Sequence, residues 1–309
     1  MTKPNVAVTI RSFNANSPAM AKLQLACNIT SFNNTNRHLT EGELTEAVAG
    51  AQAILAGTET YSEKVLSSSE ELAIISRVGV GIDNIDLLAA NENNIKVCNT
   101  PESPAQAVAE HTVALIFSCL KMIPDYNERL HRGDHSTRRS GLLSAQTVGV
   151  IGLGRIGFKA AEILSAIGCK IIYYDPYLNR MVPDSWICAE ELNQLLSSSD
   201  IISLHMPPQP GNRPILDRQA FPACKKGVVI INTARGSLID ENELLSSLQD
   251  GTVSTAGLDV VQHEPVTGPL LEYPQVIVTP HVASNTKESR EQMEMEAVEN
   301  IINFFKRGK

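Results

Sequence analysis

Short apolar runs alternate with longer stretches in which apolar positions recur every three or four residues, from one end of the chain to the other. Runs of the first kind are strands and stretches of the second kind amphipathic helices, and their regular alternation is the pattern of parallel sheets covered by helices on both faces. In the first third the pattern predicts strands at NVAVTI (5–10), NITSF (28–32), AILAG (53–57), AIISRV (73–78) and KVCN (96–99). Helical segments fall between them, and TEGELTEAVAG begins with Thr40 as N-cap and Glu43 three residues on, the spacing of a capping box. A helical pattern from about 103 to 122 has the length of a connector between two domains. The polar stretch HRGDHSTRRSGLLS (131–144) then precedes a second series of strands, TVGVIG, KIIYYD, DIISLH, GVVIINT, STAGLDV and VIVTP. The last helix, NTKESREQMEMEAVENIINFFKRG, belongs obviously to neither sheet, and its acidic run reads as a solvated face. The expected fold class is α/β, with two doubly wound parallel-sheet domains.

Composition narrows the partners more than the fold. A chain of 309 residues with 43% hydrophobic content can bury two substantial cores. The formal net charge of -8 and the lack of a sustained Lys/Arg run argue against nucleic acid and membrane surfaces, so a small-molecule partner is expected. Six cysteines are scattered without a C-x-x-C pair, which suits reduced, mostly buried thiols, with Cys98 and Cys119 in the core; no metal site is expected. The N-terminus lacks the apolar core of an export signal, and Glu110 and His111 interrupt the most apolar long stretch, so a cytoplasmic setting is expected.

TVGVIGLGRIGFKAAEIL places Gly152, Gly154 and Gly157 in G-x-G-x-x-G register between a strand and a helix. The first glycine permits the tight turn, the second lets backbone approach a pyrophosphate, and the third lets helix and strand pack closely. The helix N-terminus adds unpaired N–H groups and a partial positive charge. The next strand ends in Asp175, 21 residues beyond Gly154, where a carboxylate accepts hydrogen bonds from ribose hydroxyls and repels a 2′-phosphate. The expected cofactor is NAD rather than NADP.

Three later segments end strands of the second sheet, where ligands bind in open parallel sheets. INTARGSLID offers Arg235, GLDVVQHEP offers Asp259 and Glu264, and TPHVAS offers His281. Arginine presents a planar fork for a carboxylate, while histidine protonates an alkoxide near neutral pH and a nearby carboxylate favours its protonated form. Together they suit reduction of a 2-keto acid, with the hydride coming from a cofactor. His263 is a rival to His281 but reads as exposed, and His111 reads as a helix-surface or domain-interface residue.

GLGRIG with Asp175, NTARGSLID, LDVVQHEP and TPHVAS resemble, in order and spacing, the signature segments of the D-isomer-specific 2-hydroxyacid dehydrogenases, and RVGVGIDNIDLLAA and NTPESPAQAVAEHT extend the likeness from about residue 50 onward. The resemblance implies a Rossmann-type nucleotide domain and a smaller flavodoxin-like substrate domain with the active site in a cleft between them. The corresponding domains are 1–99 plus 285–309 for substrate and 100–284 for NAD. It implies Arg235 as the substrate-binding and polarising residue, Glu264 as the partner of the histidine, and His281 as the general acid/base. It places Arg155 and Ile156 at the pyrophosphate, Asp259 at the nicotinamide carboxamide, and His205 to Pro207 with Thr233, Ala234 and Arg235 along the cofactor cleft. Val80 and Gly81 are implied to offer N–H groups to the substrate carboxylate, and the protein to be a homodimer joined through the nucleotide domain and the segment 101–145.

Within that family the chain looks most like the phosphoglycerate dehydrogenases, with one departure. Relatives that bind a phosphorylated substrate place an arginine after the third strand, where this chain has Ala56 and Gly57. Arg11, Arg138 and Arg139 are the alternative cations, and glyoxylate or hydroxypyruvate reduction is the alternative activity. The chain reaches Lys309 soon after the returning helix, so serine feedback through an appended regulatory domain is not expected. An NAD(H)-sensing corepressor is a reading of another class, and formate dehydrogenase, which pairs its histidine with glutamine, is disfavoured by Glu264.

Overall fold

The computed structural model describes residues 3–307. The chain divides into two compact units, Met1–Pro104 with Thr286–Lys309, and Ala105–Asn285. The division falls a few residues after the expected boundaries of 99 and 284, and the outermost residues of the first expected domain, 1–2 and 308–309, lie outside the described residues.

The first unit runs β1 (Asn5–Val8), α1 (Pro18–Ala26), β2 (Asn28–Phe32), α2 (Glu41–Val48), β3 (Ala53–Ala56), α3 (Glu63–Leu66), β4 (Ile74–Arg77), α4 (Leu87–Glu92) and β5 (Lys96–Cys98). Its five strands are all parallel in the order β2-β1-β3-β4-β5. Strands covered on both faces carry continuous apolar runs, and every residue of β3 is buried. One face of the sheet packs Leu44, Val48, Ile54, Val65 and Leu66; the other packs Val6, Val8, Leu23, Leu55 and Ile74. The helix predicted at Thr40 begins with its capping box formed, the Glu43 backbone N–H donating to Thr40 Oγ1 and the Thr40 N–H to Glu43 Oε2.

The second unit opens with α5 (Ala105–Leu120) and α6 (Ile123–His131). The sheet elements follow as β6 (Thr147–Ile151), α7 (Arg155–Ile167), β7 (Lys170–Tyr174), β8 (Ile187–Cys188), α8 (Leu192–Ser198), β9 (Ile201–Leu204), β10 (Val228–Asn232), α9 (Glu241–Gln249), β11 (Val253–Leu258) and β12 (Val276–Val278). Seven parallel strands are ordered β12-β11-β10-β9-β6-β7-β8. The 103–122 pattern is not a connector: α5 is packed within this unit, Leu115, Ile116 and Cys119 joining the core that includes Val148, Val150 and Ile231. The two-residue edge strand β8 was not predicted, being too short to show a period.

α10 (Lys287–Arg307) returns to the first unit, where Met293, Ala297, Val298 and Ile301 enter its core and Ser76 Oγ donates to the Ala297 carbonyl at 2.9 Å. Its acidic run is not wholly solvated. Glu294 is buried and accepts from Arg290 Nη2 at 3.1 Å, and burial raises its pKa above the ordinary carboxylate value. The thiols also differ from expectation in part: Cys27, Cys119 and Cys169 are buried, Cys98 and Cys224 half-buried, and Cys188 exposed. Among the described residues no single helix is long and apolar enough to cross a membrane.

Candidate active site

In the second unit the chain turns from one side of the sheet to the other between β6 and β9, the switch point at which open parallel sheets bind ligands. The glycine motif lies there. Gly152 follows β6 with φ +89, and a Cβ on it would stand 2.8 Å from the His205 carbonyl carbon and oxygen at the end of β9. A Cβ on Gly157 would lie 2.1 Å from the Gly152 carbonyl oxygen and 3.0 Å from His205 Cβ. These two glycines therefore close the loop onto the helix and the neighbouring strand. Gly154 differs: it caps α7 with φ -65, and a Cβ there meets nothing within 4 Å. Open space thus lies before a helix end whose first N–H groups, beginning with those of Arg155 and Ile156, have no acceptor inside the helix.

Asp175 follows β7 and is oriented by backbone. Its Oδ2 accepts from Leu153 N at 2.8 Å and its Oδ1 from Tyr177 N at 2.9 Å. A carboxylate has about four acceptor positions, so capacity remains for a ribose diol. Beside it Arg180 lies 4.1 Å over the Phe158 ring and approaches the Gly154 carbonyl at 3.4 Å. Phe158 packs in turn on Trp186 with ring centroids 5.2 Å apart. His205 shares Nε2 with Ser203 Oγ at 2.8 Å, while its buried Nδ1 has no partner among the described residues. Burial pushes its pKa down to about 4, so the imidazole is neutral at pH 7.

The loop after β10 is shaped by Asn232, whose side chain accepts from Ala234 N at 3.0 Å and donates to the Arg235 carbonyl at 2.8 Å. Thr233 is fixed by its hydroxyl against that of Thr112 at 2.9 Å, and Arg235 Nη1 donates to the Ala234 carbonyl at 2.7 Å. A Cβ on Gly236 would fall 2.0 Å from the Val261 carbonyl, so only glycine lets the arginine loop lie against the Asp259–Glu264 segment.

Asp259, 1% exposed, is the hinge-pin of the histidine loop. Oδ1 accepts from Thr279 Oγ1 at 2.6 Å and Val282 N at 2.9 Å, Oδ2 accepts from Ala283 N at 2.9 Å, and the Asp259 carbonyl accepts from His281 N at 3.0 Å. That bracket holds His281 in the left-handed region at φ +53, a conformation a side chain with a Cβ adopts only when its surroundings impose it. His281 Nδ1 then meets Glu264 Oε2 at 3.0 Å, both side chains remaining accessible at 46% and 41%. With Nδ1 directed to the carboxylate, Nε2 is the atom left to exchange a proton with a ligand.

His111, expected at a helix surface or a domain interface, is half-buried, its side chain 23% exposed. Its Nε2 lies 3.1 Å from Thr279 Oγ1 and 3.5 Å from Asp259 Oδ1, so α5 supports the same bracket. Sequence reasoning assigns Thr279 no role, although a hydroxyl two residues before a histidine that follows a strand is the signal. His263 is exposed, as is Pro207 after β9. In the first unit, the loop after β4 is pinned by Gly79 N to Thr100 Oγ1 at 2.7 Å and by Asn99 Nδ2 to the Val80 carbonyl at 2.6 Å, with Val80 exposed and Gly81 half-buried. Among the described residues no group of three or more His, Cys, Asp or Glu side chains is placed to hold a metal ion.

The residues of the second unit fit a dinucleotide: a space before the helix end that a Cβ at Gly154 would fill, and a strand-end carboxylate with acceptor capacity to spare. Comparison with known proteins agrees. Residues 113–283 match the family described as D-isomer specific 2-hydroxyacid dehydrogenase, NAD binding domain. D-3-phosphoglycerate dehydrogenase of Mycobacterium tuberculosis is 37% identical over 266 residues, which cover 84% of this chain and 50% of that protein. The chain spans about half the length of such curated relatives. Hydroxypyruvate reductase of Thermotoga maritima is 36% identical over 288 residues, 90% of this chain and 93% of its own. Among solved structures, the NADPH-dependent glyoxylate/hydroxypyruvate reductase of Sinorhizobium meliloti in complex with NADP and malonate superposes with a TM-score of 0.88 at 26% identity, covering 100% of this chain and 95% of that one. By its glycine loop, its Asp259-held histidine and these matches, the chain belongs to the D-isomer-specific 2-hydroxyacid dehydrogenase family.

Proposed function

We propose that the protein is an NAD-dependent oxidoreductase interconverting a small 2-keto acid and its D-2-hydroxy acid. The observation that carries this reading is the His281–Glu264 pair at 3.0 Å, fixed by Asp259 in the same unit as the glycine loop and Arg235. The nicotinamide, when bound, supplies hydride chemistry. His281 Nε2 gives the proton to the substrate oxygen, Glu264 holds the ring's tautomer and orientation, and Arg235 pairs with the carboxylate and polarises the carbonyl. By the family resemblance Val80 and Gly81 belong to substrate binding, which makes 1–99 with 285–309 the substrate domain and 100–284 the NAD domain. Asp259 Oδ2, with one protein donor, keeps capacity to accept from the nicotinamide carboxamide. Arg155 and Ile156 meet the pyrophosphate, His205, Pro207, Thr233 and Ala234 border the cofactor, and Asp175 favours NAD over NADP.

The curated relatives named D-3-phosphoglycerate dehydrogenase support a phosphoglycerate dehydrogenase-like activity. A second reading, hydroxypyruvate reduction, is favoured by the relative matched over 93% of its length and by Ala56 and Gly57 at the end of β3, where an arginine for phosphate is lacking. Apolar side chains exposed on and after α6, Ile123, Leu130 and Leu142, support a homodimer through that segment, and six free cysteines suit a reducing, cytoplasmic setting. The test is NADH oxidation by the purified protein against glyoxylate, hydroxypyruvate, pyruvate, 2-ketoglutarate and 3-phosphohydroxypyruvate. His281→Gln lowers kcat on the best acid by about 10² to 10⁴ with NADH affinity retained. Near wild-type turnover in that variant removes His281 from the mechanism.

A further inference from the structure

The Arg235 loop follows β10 and the His281 loop follows β12, with β11 between them in the sheet. Neighbouring strands stand about 4.8 Å apart, so the two loops start about 10 Å from each other and need a further element to fix their spacing. α5 is that element. Two residues adjacent in it, His111 and Thr112, project about 100° apart around the helix, and each meets one loop of the same unit.

Thr112 holds the Arg235 loop. It is fully buried, and its hydroxyl donates its single proton to the Val108 carbonyl at 2.8 Å. Its oxygen is then an acceptor, so the Thr233 hydroxyl is the donor in their 2.9 Å contact. Asn232, just before Thr233, ties Ala234 N and the Arg235 carbonyl, so the whole turn is carried with Thr233.

His111 holds the other loop by the same accounting of protons. The Thr279 hydroxyl donates to Asp259 Oδ1 at 2.6 Å, so its oxygen accepts at 3.1 Å from His111 Nε2, which therefore carries a hydrogen. The same Nε2 lies 3.5 Å from Asp259 Oδ1. The Thr279 carbonyl accepts from His281 N at 2.9 Å, and the Asp259 carboxylate accepts from Val282 N and Ala283 N. The histidine loop thus hangs on the two residues that His111 touches. α5 is a firm mount for both contacts. A Cβ on Gly257 in β11 would stand 3.1 Å from Cys119 Sγ and 3.2 Å from Leu115 Cβ, so helix and strand already lie as close as glycine allows.

A 2-keto acid carries its carboxylate and its carbonyl on adjacent carbons, so the group that binds the first and the group that protonates the second must keep one separation. We infer that His111 and Thr112 are positioning residues that set this separation, Thr112 through the Arg235 loop and His111 through the His281 loop. The inference rests on the 2-keto acid reading above, which gives Arg235 and His281 their roles, and adds what keeps the two in register.

The experiment measures kcat and KM for the best 2-keto acid, with melting temperature and NADH binding followed in every variant. Thr112→Val and His111→Leu remove the hydrogen bonds at similar volume, while Thr112→Ser keeps a hydroxyl and His111→Gln keeps an N–H at the reach of Nε2. Thr112→Val acts chiefly on KM and His111→Leu chiefly on kcat, each by roughly 10- to 100-fold, the range that misplacement by about 1 Å causes. The serine and glutamine variants recover both parameters. Thr233→Val cuts the Thr112 contact from the loop side and reproduces its KM effect, so the outcome does not hang on one buried variant folding. In the His281→Gln background His111→Leu lowers kcat no further, because the residue it positions is already gone. A further fall there overturns the inference, as do unchanged kcat and KM in folded Thr112→Val and His111→Leu. Losses in kcat and KM that are alike for both variants and follow melting temperature also overturn it, since general packing accounts for them. An unchanged enzyme that binds NADH but reduces no 2-keto acid overturns the parent reading, and this one with it, before any variant is made.

Discussion

Gly154 and Gly157 lie three residues apart in one motif, yet the geometry assigns them different jobs that substitution separates. At Gly154 φ is -65 and a Cβ meets nothing within 4 Å, so alanine leaves the fold alone: a change within about 0.5 kcal/mol, or roughly 2 °C in Tm for a unit of this size. The methyl does enter the space from which a pyrophosphate reaches the helix N–H groups. Losing one charge-assisted hydrogen bond there costs about 1.5–3 kcal/mol, which raises the NADH Kd roughly 10- to 150-fold. At Gly157 the order reverses. A Cβ would sit 2.1 Å from the Gly152 carbonyl oxygen, more than 1 Å inside ordinary contact, and its obstacle is backbone that no rotamer can clear. Overpacking of this kind costs about 1–3 kcal/mol, a fall of about 2–10 °C in Tm before any ligand is added. Thermal melting by circular dichroism reads the first quantity. NADH titration reads the second through Trp186, the chain's single tryptophan, whose ring packs at a tilt against Phe158 in α7. Wild-type NADH affinity in Gly154→Ala, or an unchanged Tm in Gly157→Ala, refutes the division of labour.

Three further outcomes follow from the same geometry. On the proposed ribose-binding role of Asp175, Asp175→Ala weakens NADH binding more than NADPH binding; equal losses for the two, in parallel fluorescence titrations, leave the ribose to another residue. Asp259→Ala strips acceptors from Thr279, Val282 and Ala283 and releases the His281 loop, so kcat falls on the order of 10²-fold, as misplacement by about 1 Å is known to cause; a steady-state kcat within threefold of wild type ends the bracket argument. His205 has its pKa pushed down to about 4 by burial, so below its unfolded value of about 6.5 only the unfolded chain takes up the proton. The stability that follows is complete above about pH 6.5 and is lost as pH falls toward 4; His205→Asn flattens the dependence of Tm on pH across that window, and an unaltered slope rules His205 out as its source.

What could be read from the chain was whatever a short stretch determines by itself. Apart from the two-residue β8, the strands of both sheets announced themselves because burial on two faces demands continuous apolar runs, as in VVIIN of β10, and the capping box at Thr40 and Glu43 is a contract between neighbours. The Glu264–His281 pair was legible for another reason: each residue lies in the loop that follows a strand of one sheet, and parallel strands deliver those loops to one edge. Illegible features depend on what topology places opposite a residue. Glu294 sits in a run of acids that any helical wheel would solvate, yet one turn of α10 meets the sheet and buries it against Arg290. The partners of His111 were illegible because nothing local reveals that Thr279 and Asp259, more than 140 residues later, lie across from it.

Glu59 is the sharpest case, since GTET reads as an ordinary polar turn and only the fold turns its carboxylate inward. A buried acceptor with no donor is a cost that a folded chain retains only where something offsets it. Tyr61, Thr9 and Asn84 could each have been arranged to satisfy Oε1, yet they bind the other carboxylate oxygen, the phenol or the backbone and leave that atom out.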